Sequence, residues 1–286
     1  MKWLSGRTAL ITGSSVGIGL AIARELAGAG MNLVLAARTK SNLEQAAEQV
    51  RQEFGVQVLA VPTDVSLVSQ LRHLTEAAHR AFGSIDVLVN NAGREDVLDF
   101  ERLELEDIEQ TVRVNLTATL QLTRLVVPHM RRSGSGHIVN IASIAGKHGP
   151  AYAAVYAASK AGQIAFTQSL RAELLEDGIC ASVICPGCTI DSGMSQSLRS
   201  QVRFRTPWFW GWTTTDAVAR AVRKAILRNT PEVIVNSMPW RPIFVLAQVV
   251  PRLASWLLRI GNRHYFHKVA VIRGNLIDDQ HQRAAG

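Results

Sequence analysis

Cysteine is scarce in this sequence, which has three cysteines among 286 residues. Three cysteines cannot build a disulfide framework, and an odd number favours a reducing compartment. The run Cys185-Pro-Gly-Cys188 has the spacing of a redox pair, but it equally suits a strand that ends in a Pro-Gly turn. Four-coordinate zinc needs more ligands than this segment offers, so no metal site is expected.

Long apolar runs are also missing. The most apolar stretch, residues 239–260, is interrupted by Pro251, Arg252 and Arg259, so we do not expect it to span a membrane. At the other end of the sequence a strand-like run begins at Thr8 and leaves no room for a signal peptide. We therefore expect a cytoplasmic protein.

Acidic residues are nearly absent from the last third of the chain. Between Ser195 and Arg273 there are thirteen Lys and Arg but only two acidic residues, Asp216 and Glu232. The net charge of +8 is therefore concentrated there, and an anionic partner should be sought there. No groove-reading or RNA-binding motif accompanies the charge, so we expect no nucleic acid. An anionic lipid surface is the better candidate.

What the chain has in abundance is an alternation of short apolar runs and helical patterns. The strand-like runs lie at 8–12, 32–37, 57–61, 85–89, 136–142, 179–184 and 232–236, and the helical patterns at 17–29, 41–54, 67–82, 104–131, 155–176 and 214–228. Buried strands alternating with helices are typical of a parallel sheet with helices on both faces. The sequence predicts an α/β protein with a Rossmann-type, doubly wound sheet of about seven strands and a helical C-terminal extension.

A glycine-rich turn follows the first of these strands. In the run Thr12-Gly-Ser-Ser-Val-Gly-Ile-Gly19, Gly13 permits a tight turn, Gly17 a close approach of pyrophosphate, and Gly19 close packing of the helix. The helix that follows offers free N–H groups and a positive dipole to phosphates. The motif and its position between strand and helix together predict a dinucleotide site.

The second strand is not followed by an acidic residue. An Asp or Glu at this place would bind the ribose 2′-hydroxyl of NAD, whereas this chain has Arg38 and Thr39, with Lys40 beside them as a further candidate for a 2′-phosphate. A guanidinium pairs well with a 2′-phosphate, so Arg38 favours NADP(H) over NAD(H). The alternative is a solvated surface arginine.

Together with motifs further along, the sequence resembles the short-chain dehydrogenase/reductase family over about residues 6–237. The glycine turn, Asn90-Asn-Ala-Gly93, Asn115, and the set Ser143, Tyr156 and Lys160 occur in the family's order and spacing. The resemblance implies NADP(H), a carbonyl reductase or hydroxysteroid dehydrogenase-like activity, and a homodimer or homotetramer formed through segments 104–131 and 155–176. It also implies that Asn115 supports a water relay, that Asp64-Val65 meets the adenine and that Pro186-Gly187 lies below the nicotinamide.

These motifs identify the residues that we expect to form the active site. The expected catalytic residues are Asn115, Ser143, Tyr156 and Lys160. The expected cofactor-binding residues are Gly13, Ser14, Ser15, Gly17, Ile18, Gly19, Arg38, Thr39, Asp64, Val65, Asn91, Ala92, Gly93, Tyr156, Lys160, Pro186, Gly187 and Thr189.

The chemistry of the proposed centre follows from its side chains. Tyr156 and Lys160 are four residues apart in a helical pattern and share one face. A free tyrosine is a poor base at neutral pH. A nearby ammonium, together with the positive charge of the oxidised nicotinamide, favours its phenolate, so we expect the pKa of Tyr156 to be lowered. Ser143 can donate a hydrogen bond to the substrate oxygen as negative charge develops on it.

The sequence says less about the substrate-binding residues than about the cofactor-binding residues. Segment 188–212 contains Trp208, Phe209, Trp210 and Trp212, which suit a bulky apolar substrate such as a steroid, retinoid, acyl or polyketide carbonyl. Core packing and a membrane-interface belt are the alternatives. We expect an oxidoreductase domain at 1–237, including this substrate loop, and a basic, apolar extension at 238–286.

The extension itself admits several interpretations. Its two arms, 240–250 and 251–261, combine apolar side chains with arginines, as surface-lying helices do, so a peripheral membrane contact through 239–263 is one of them. A cover over the active site and a contact with a partner subunit are the others. The expected function is an NADP(H)-dependent interconversion of a carbonyl and a secondary alcohol. The alternatives are a non-catalytic NADP(H)-binding regulator and a membrane-surface scaffold.

Overall fold

The computed structural model describes residues 4–191, 211–250, 252 and 266–275. Seven strands form one parallel sheet: β1 Thr8–Thr12, β2 Asn32–Ala37, β3 Val58–Pro62, β4 Val87–Asn90, β5 Gly136–Ile141, β6 Ile179–Pro186 and β7 Glu232–Val235. The helices are α1 Gly17–Ala27, α2 Lys40–Phe54, α3 Val68–Phe82, α4 Leu105–Val112, α5 Ala118–Ser133, α6 Ala154–Glu173, α7 Thr215–Arg228, α8 Arg241–Val249 and α9 at 266–275. The predicted α/β architecture is confirmed.

The order of the strands is β3-β2-β1-β4-β5-β6-β7. The chain runs outward from β1 in one direction and from β4 in the other, so the connections diverge between these two strands. Ligands of such sheets bind in the crevice at the carboxyl ends of the strands, at this switch point. The glycine turn after β1 and the Asn-Asn-Ala-Gly run after β4 both lie there.

The sheet is covered on both faces. One apolar cluster joins it to α1, α2 and α7 through side chains such as Leu26, Leu43 and Val222. The other joins it to α3, α5 and α6 through side chains such as Leu74 and Val126. Because both faces are buried, the strands are almost continuously apolar, which is why they could be recognised in the sequence.

One predicted helix is divided. The sequence pattern predicts a single helix at 104–131, but the structure has α4, a π turn at Arg113–Thr117, and then α5. The N–H of Ala118 bonds the carbonyl of Arg113, five residues back, instead of the carbonyl four residues back. A π turn inserted in an α-helix redirects the backbone locally and often marks a functional site. Asn115 lies inside this turn.

The C-terminal extension turns back onto the domain. Trp240, at the start of α8, is 4% exposed, and Val269 and Ala270 of α9 are buried. Val269 and Phe266 pack in one apolar cluster with Val97, Ala153 and Tyr156. The first predicted arm corresponds to α8, whereas most of the second arm, 251–261, lies outside the described residues, as do Trp208, Phe209 and Trp210. Among the helices that are described, none is long and apolar enough to cross a membrane.

Candidate active site

The glycine turn has the backbone that a phosphate cradle requires. Gly13 and Gly17 have φ of +64° and +59°, in the left-handed region that favours glycine. A Cβ on Gly13 would lie 2.9 Å from the Cα of Ala92, and one on Gly19 would lie 2.1 Å from the carbonyl oxygen of Gly13. Side chains at these positions would therefore collide with the backbone. The turn fits a dinucleotide pyrophosphate at the N-terminus of α1.

The turn is held to the loop after β4 by side-chain hydrogen bonds. The amide of Asn91 donates to the carbonyls of Thr12, at 2.9 Å, and Gly13, at 3.0 Å. The hydroxyl of Thr12 in turn accepts the backbone N–H groups of Asn91 and Ala92. Ser14 faces away from the cavity, is fully buried, and bonds the backbone of Ala36. Ser14 thus joins β1 to β2 and supports the turn from behind.

One cavity of about 660 Å³ runs along these strand ends. Apart from Ser14, all the expected cofactor-binding residues line it: Gly13, Ser15, Gly17, Ile18, Gly19, Arg38, Thr39, Asp64, Val65, Asn91, Ala92, Gly93, Tyr156, Lys160, Pro186, Gly187 and Thr189. Arg38 stands exposed at the rim, and among the described residues it has no ion-pair partner. A guanidinium is thus available where an adenosine ribose would lie.

Ser143, Tyr156 and Lys160 meet in the middle of the same cavity. Ser143 follows β5 and caps the short turn after it by accepting the N–H of Ala145. Tyr156 and Lys160 come from successive turns of α6, and the Lys160 Nζ lies 5.8 Å from the centre of the Tyr156 ring. The ammonium donates to the carbonyl of Ile141, at 2.8 Å, and to the side chain of Gln163, at 3.0 Å.

The pKa of Tyr156 differs from the expectation. Burial raises it above its ordinary value, the charge of Glu95 raises it further, and a hydrogen bond with Ser143 only partly offsets these effects. The expected lowering of this pKa by Lys160 is not among these effects, and loss of solvent is the largest of them. In the protein itself Tyr156 is therefore a neutral phenol at physiological pH, which is the form that gives up a proton. Burial lowers the pKa of Lys160 to about 8.

Asn115 lies behind the cavity wall and is fully buried. Its side-chain amide donates to the carbonyl of Arg94, at 2.9 Å, and to the hydroxyl of Ser159, at 3.0 Å, while its oxygen accepts the N–H of Arg94. These bonds fix the loop after β4 to α6. Asn115 therefore positions the site without lining it.

These features have counterparts in known proteins. The family model described as short chain dehydrogenase matches residues 7–203, more than half of the chain. This chain belongs to the short-chain dehydrogenase family. It is an oxidoreductase of the class that interconverts alcohols and carbonyls.

Among similar short-chain dehydrogenases, the ketoacyl reductase HetN of Nostoc sp. is 44% identical over 239 residues, covering 84% of this chain and 82% of that protein. The D-β-hydroxybutyrate dehydrogenase of Cupriavidus necator is 35% identical over 189 residues, covering 64% of this chain and 71% of that protein. A variant of the actinorhodin polyketide ketoreductase, solved with NADPH, superposes with a TM-score of 0.75 at 32% identity, covering 80% of this chain and 95% of that one.

The short-chain dehydrogenase motifs do not account for the other end of the cavity. Its remaining lining includes Glu95, Val97, His148, Pro150, Trp240, Phe244, Phe266 and Val269. Four of these belong to the extension, so its described residues form part of the cavity wall. The aromatic residues at 240, 244 and 266 are the sequence feature that could have indicated this part of the wall, but nothing in their spacing shows which way their side chains face.

Proposed function

We propose that this short-chain dehydrogenase reduces the carbonyl of a bulky, apolar acyl or polyketide-type substrate with NADPH. The observation that carries the proposal is the meeting of three groups in one cavity: the neutral hydroxyl of Tyr156, the hydroxyl of Ser143 and the buried ammonium of Lys160. The phosphate turn lies at one end of this cavity and an apolar wall at the other.

The cofactor end fits NADP(H) in particular. The turn between β1 and α1 would take the pyrophosphate, and Arg38 would pair with the 2′-phosphate, since no carboxylate follows β2 to bind a 2′-hydroxyl. Bound NADPH supplies the hydride. The actinorhodin ketoreductase variant solved with NADPH supports the same choice.

The residues of this chain handle the proton. Ser143 donates a hydrogen bond to the substrate oxygen, which stabilises the negative charge that develops there. The O–H bond of Tyr156 breaks, its proton passes to that oxygen, and the phenolate left behind is stabilised by the Lys160 ammonium. The raised pKa of Tyr156 keeps the proton on its hydroxyl until negative charge develops on the substrate oxygen.

The described part of the extension contributes to the substrate side. Trp240 and Phe244 are stacked with ring centres 5.5 Å apart, and with Phe266 and Val269 they provide an apolar wall. Such a wall gains free energy from apolar surface on the substrate. This supports an acyl chain or polycyclic substrate over a small polar one.

Glu95 separates two substrate classes suggested by the relatives. Its carboxyl lies in the cavity and within electrostatic range of Tyr156, and loss of solvent raises its pKa, with Arg273 and Lys160 acting in the opposite sense. A free β-keto acid would bring its own carboxylate into the same solvent-poor part of the cavity, where loss of solvent disfavours a negative charge. We therefore favour a neutral acyl ester or thioester, as for a ketoacyl reductase, over the free acid of a hydroxybutyrate dehydrogenase.

The experiment is a substrate panel with the full chain, followed by the loss of NADPH absorbance. β-Ketoacyl thioesters, a bicyclic ketone, a steroid ketone, a retinoid aldehyde and acetoacetate are compared with NADPH and with NADH. The proposal expects the thioesters or the cyclic ketone to lead with NADPH and acetoacetate to be slowest. If none of these carbonyls is reduced although NADPH binds, the proposed substrate class is wrong.

Two further features belong to the proposal. A homodimer or homotetramer, formed by the α4–α5 and α6 faces, rests on the family resemblance and on exposed apolar side chains such as Leu105. A peripheral membrane contact of a cytoplasmic protein rests on the outer face of α8, where Val245 and Val249 are 63% and 74% exposed. The first would complete the enzyme, and the second would bring it to apolar substrates.

A further inference from the structure

Gln163 is a polar side chain in a place that has no access to water. It lies on α6, three residues after Lys160, and is fully buried. Burying an amide without partners costs free energy, so its hydrogen bonds decide whether it is tolerated. Nothing in the sequence motifs assigns a role to this residue.

Both ends of the Gln163 amide are bonded. Its Oε1 accepts from Lys160 Nζ at 3.0 Å, while its Nε2 donates to the backbone carbonyl of Asn115, at 2.6 Å, and to the hydroxyl of Thr119, at 2.9 Å. The orientation of the amide is fixed by these partners, because a flipped amide would present its NH₂ to an ammonium and its oxygen to a carbonyl. Gln163 therefore connects Lys160 to the π turn, with its oxygen facing the lysine and its NH₂ group facing the turn.

The π turn supplies the far anchor of that link. Within this turn the N–H of Ala118 bonds the carbonyl of Arg113, five residues back, so the backbone register changes around Asn115. The Asn115 carbonyl accepts from the side chains of Gln163 and Thr119, both buried. The asparagine assigned by the family resemblance to a water relay is thus bonded by a protein side chain.

The near end of the link is the ammonium itself. Lys160 Nζ has three hydrogens, and the carbonyl of Ile141 and Oε1 of Gln163 take two of them. Since Lys160 also lines the cavity, the third hydrogen remains for a group bound there. Two fixed acceptors on one side of the ammonium determine where the third hydrogen points.

We propose that Gln163 is a positioning residue of the reductase, which holds the Lys160 ammonium beside Tyr156 by bracing it against the Asn115 carbonyl. The inference rests on the proposed function, since it concerns the lysine that stabilises the Tyr156 phenolate. Gln163 itself touches neither the substrate nor the cofactor.

The expected signature is a displacement of the pH profile. The groups that act on Lys160 are its neighbour Tyr156, the buried thiol of Cys185 on β6 and the carboxyl of Glu95. Since the pKa of Lys160 is lowered to about 8, its ammonium is present below that pH and reduction should slow as the pH rises through it. Removing the Gln163 acceptor disfavours the ammonium and lowers this pKa further, whereas a carboxylate in its place raises it.

The test compares Gln163→Leu with Gln163→Glu in the full chain, using Gln168→Leu and Gln168→Glu on the exposed face of the same helix as controls. The kcat for reduction is measured against pH, together with thermal melting and NADPH titration. The alkaline limb should move down by about one pH unit in Gln163→Leu and up in Gln163→Glu, the scale of one charge-assisted hydrogen bond. The Gln168 variants should keep the limb in place.

Several outcomes would overturn the inference. If the alkaline limb of the pH profile stays fixed while kcat and the melting temperature fall together, Gln163 is a packing residue only. The same conclusion follows if the limb shifts in the same direction in both Gln163 variants. If Gln163→Leu does not fold, the nearly isosteric Gln163→Glu still has to move the limb upward. Tyr156→Phe, measured in parallel, separates the two levels: if it retains turnover, the proposed function fails, whereas a fixed limb with an inactive Tyr156→Phe defeats only the role of Gln163.

Discussion

The two ends of the cavity are built in different ways. The cofactor end consists of backbone at the carboxyl ends of β1, β2 and β4, shaped by glycines and held by Asn91. The substrate end consists of side chains brought together from far apart in the chain, from Glu95 after β4 to Val269 in α9. The backbone of the cofactor end is shaped for a dinucleotide. The side chains of the substrate end can be replaced without disturbing the sheet. We therefore expect substitutions at the centre, at the cofactor end and at the substrate end to change kcat, cofactor affinity and substrate KM separately.

The largest effect should come from the centre. Tyr156→Phe removes the proton donor while leaving the ring in its apolar cluster, so kcat should fall about 100-fold or more while the melting temperature and NADPH binding persist. Tyr152→Phe, which removes a hydroxyl from the adjacent part of the same cluster, should leave turnover near normal. Near-normal reduction by Tyr156→Phe would remove this residue from the mechanism.

The second effect should be confined to the cofactor end. Arg38→Ala should weaken NADPH binding about 10- to 100-fold, the range of a charge-assisted hydrogen bond, and leave NADH binding almost unchanged. Arg80→Ala removes an exposed positive charge near the end of α3, away from the cavity, and should change neither. The measurement is cofactor affinity by fluorescence titration, and an equal loss for both cofactors would show that Arg38 does not contact the 2′-phosphate.

The smallest effects should divide the two faces of α8. Phe244→Ala should raise KM for a long-chain ketoacyl thioester by about tenfold and that for a short one far less, because only the long chain reaches this part of the wall. Val249→Asp, on the exposed face, should leave both KM values alone but reduce co-sedimentation with anionic vesicles a few-fold, an effect that salt also produces. If Val249→Asp leaves vesicle binding unchanged, the membrane contact is not made by this helix.

The same contrast explains what could be predicted from the sequence. Gly13 and Gly17 have positive φ angles, a local backbone requirement that glycine meets, so the turn and its position could be predicted. The strands could be predicted because burial on both faces makes them apolar throughout. The order of Ser143, Tyr156 and Lys160 added the catalytic centre by resemblance.

The parts that escaped prediction depend on contacts between distant segments. The π turn at 113–117 leaves the helical pattern of its residues intact, so one continuous helix was expected. The neutral Tyr156 reflects how much solvent the surrounding protein removes, which no spacing of charges reveals. Likewise, Gln163 looks like any helical glutamine until α6 is packed against the turn that carries Asn115. The orientation of Trp240 and Phe244 could not be predicted for the same reason, because it depends on how α8 packs against distant parts of the chain.

The contact between α9 and the cluster around Tyr156 also has a consequence for how the enzyme is made. Protein synthesis proceeds from the N-terminus, so the glycine turn, the strands and α6 leave the ribosome well before residues 266–275 have been translated. Until those residues arrive, Tyr156 lacks part of its apolar surroundings. An incomplete chain thus carries the glycine turn with an open wall beside Tyr156, and this tyrosine acquires its native surroundings only once residues 266–275 have been translated.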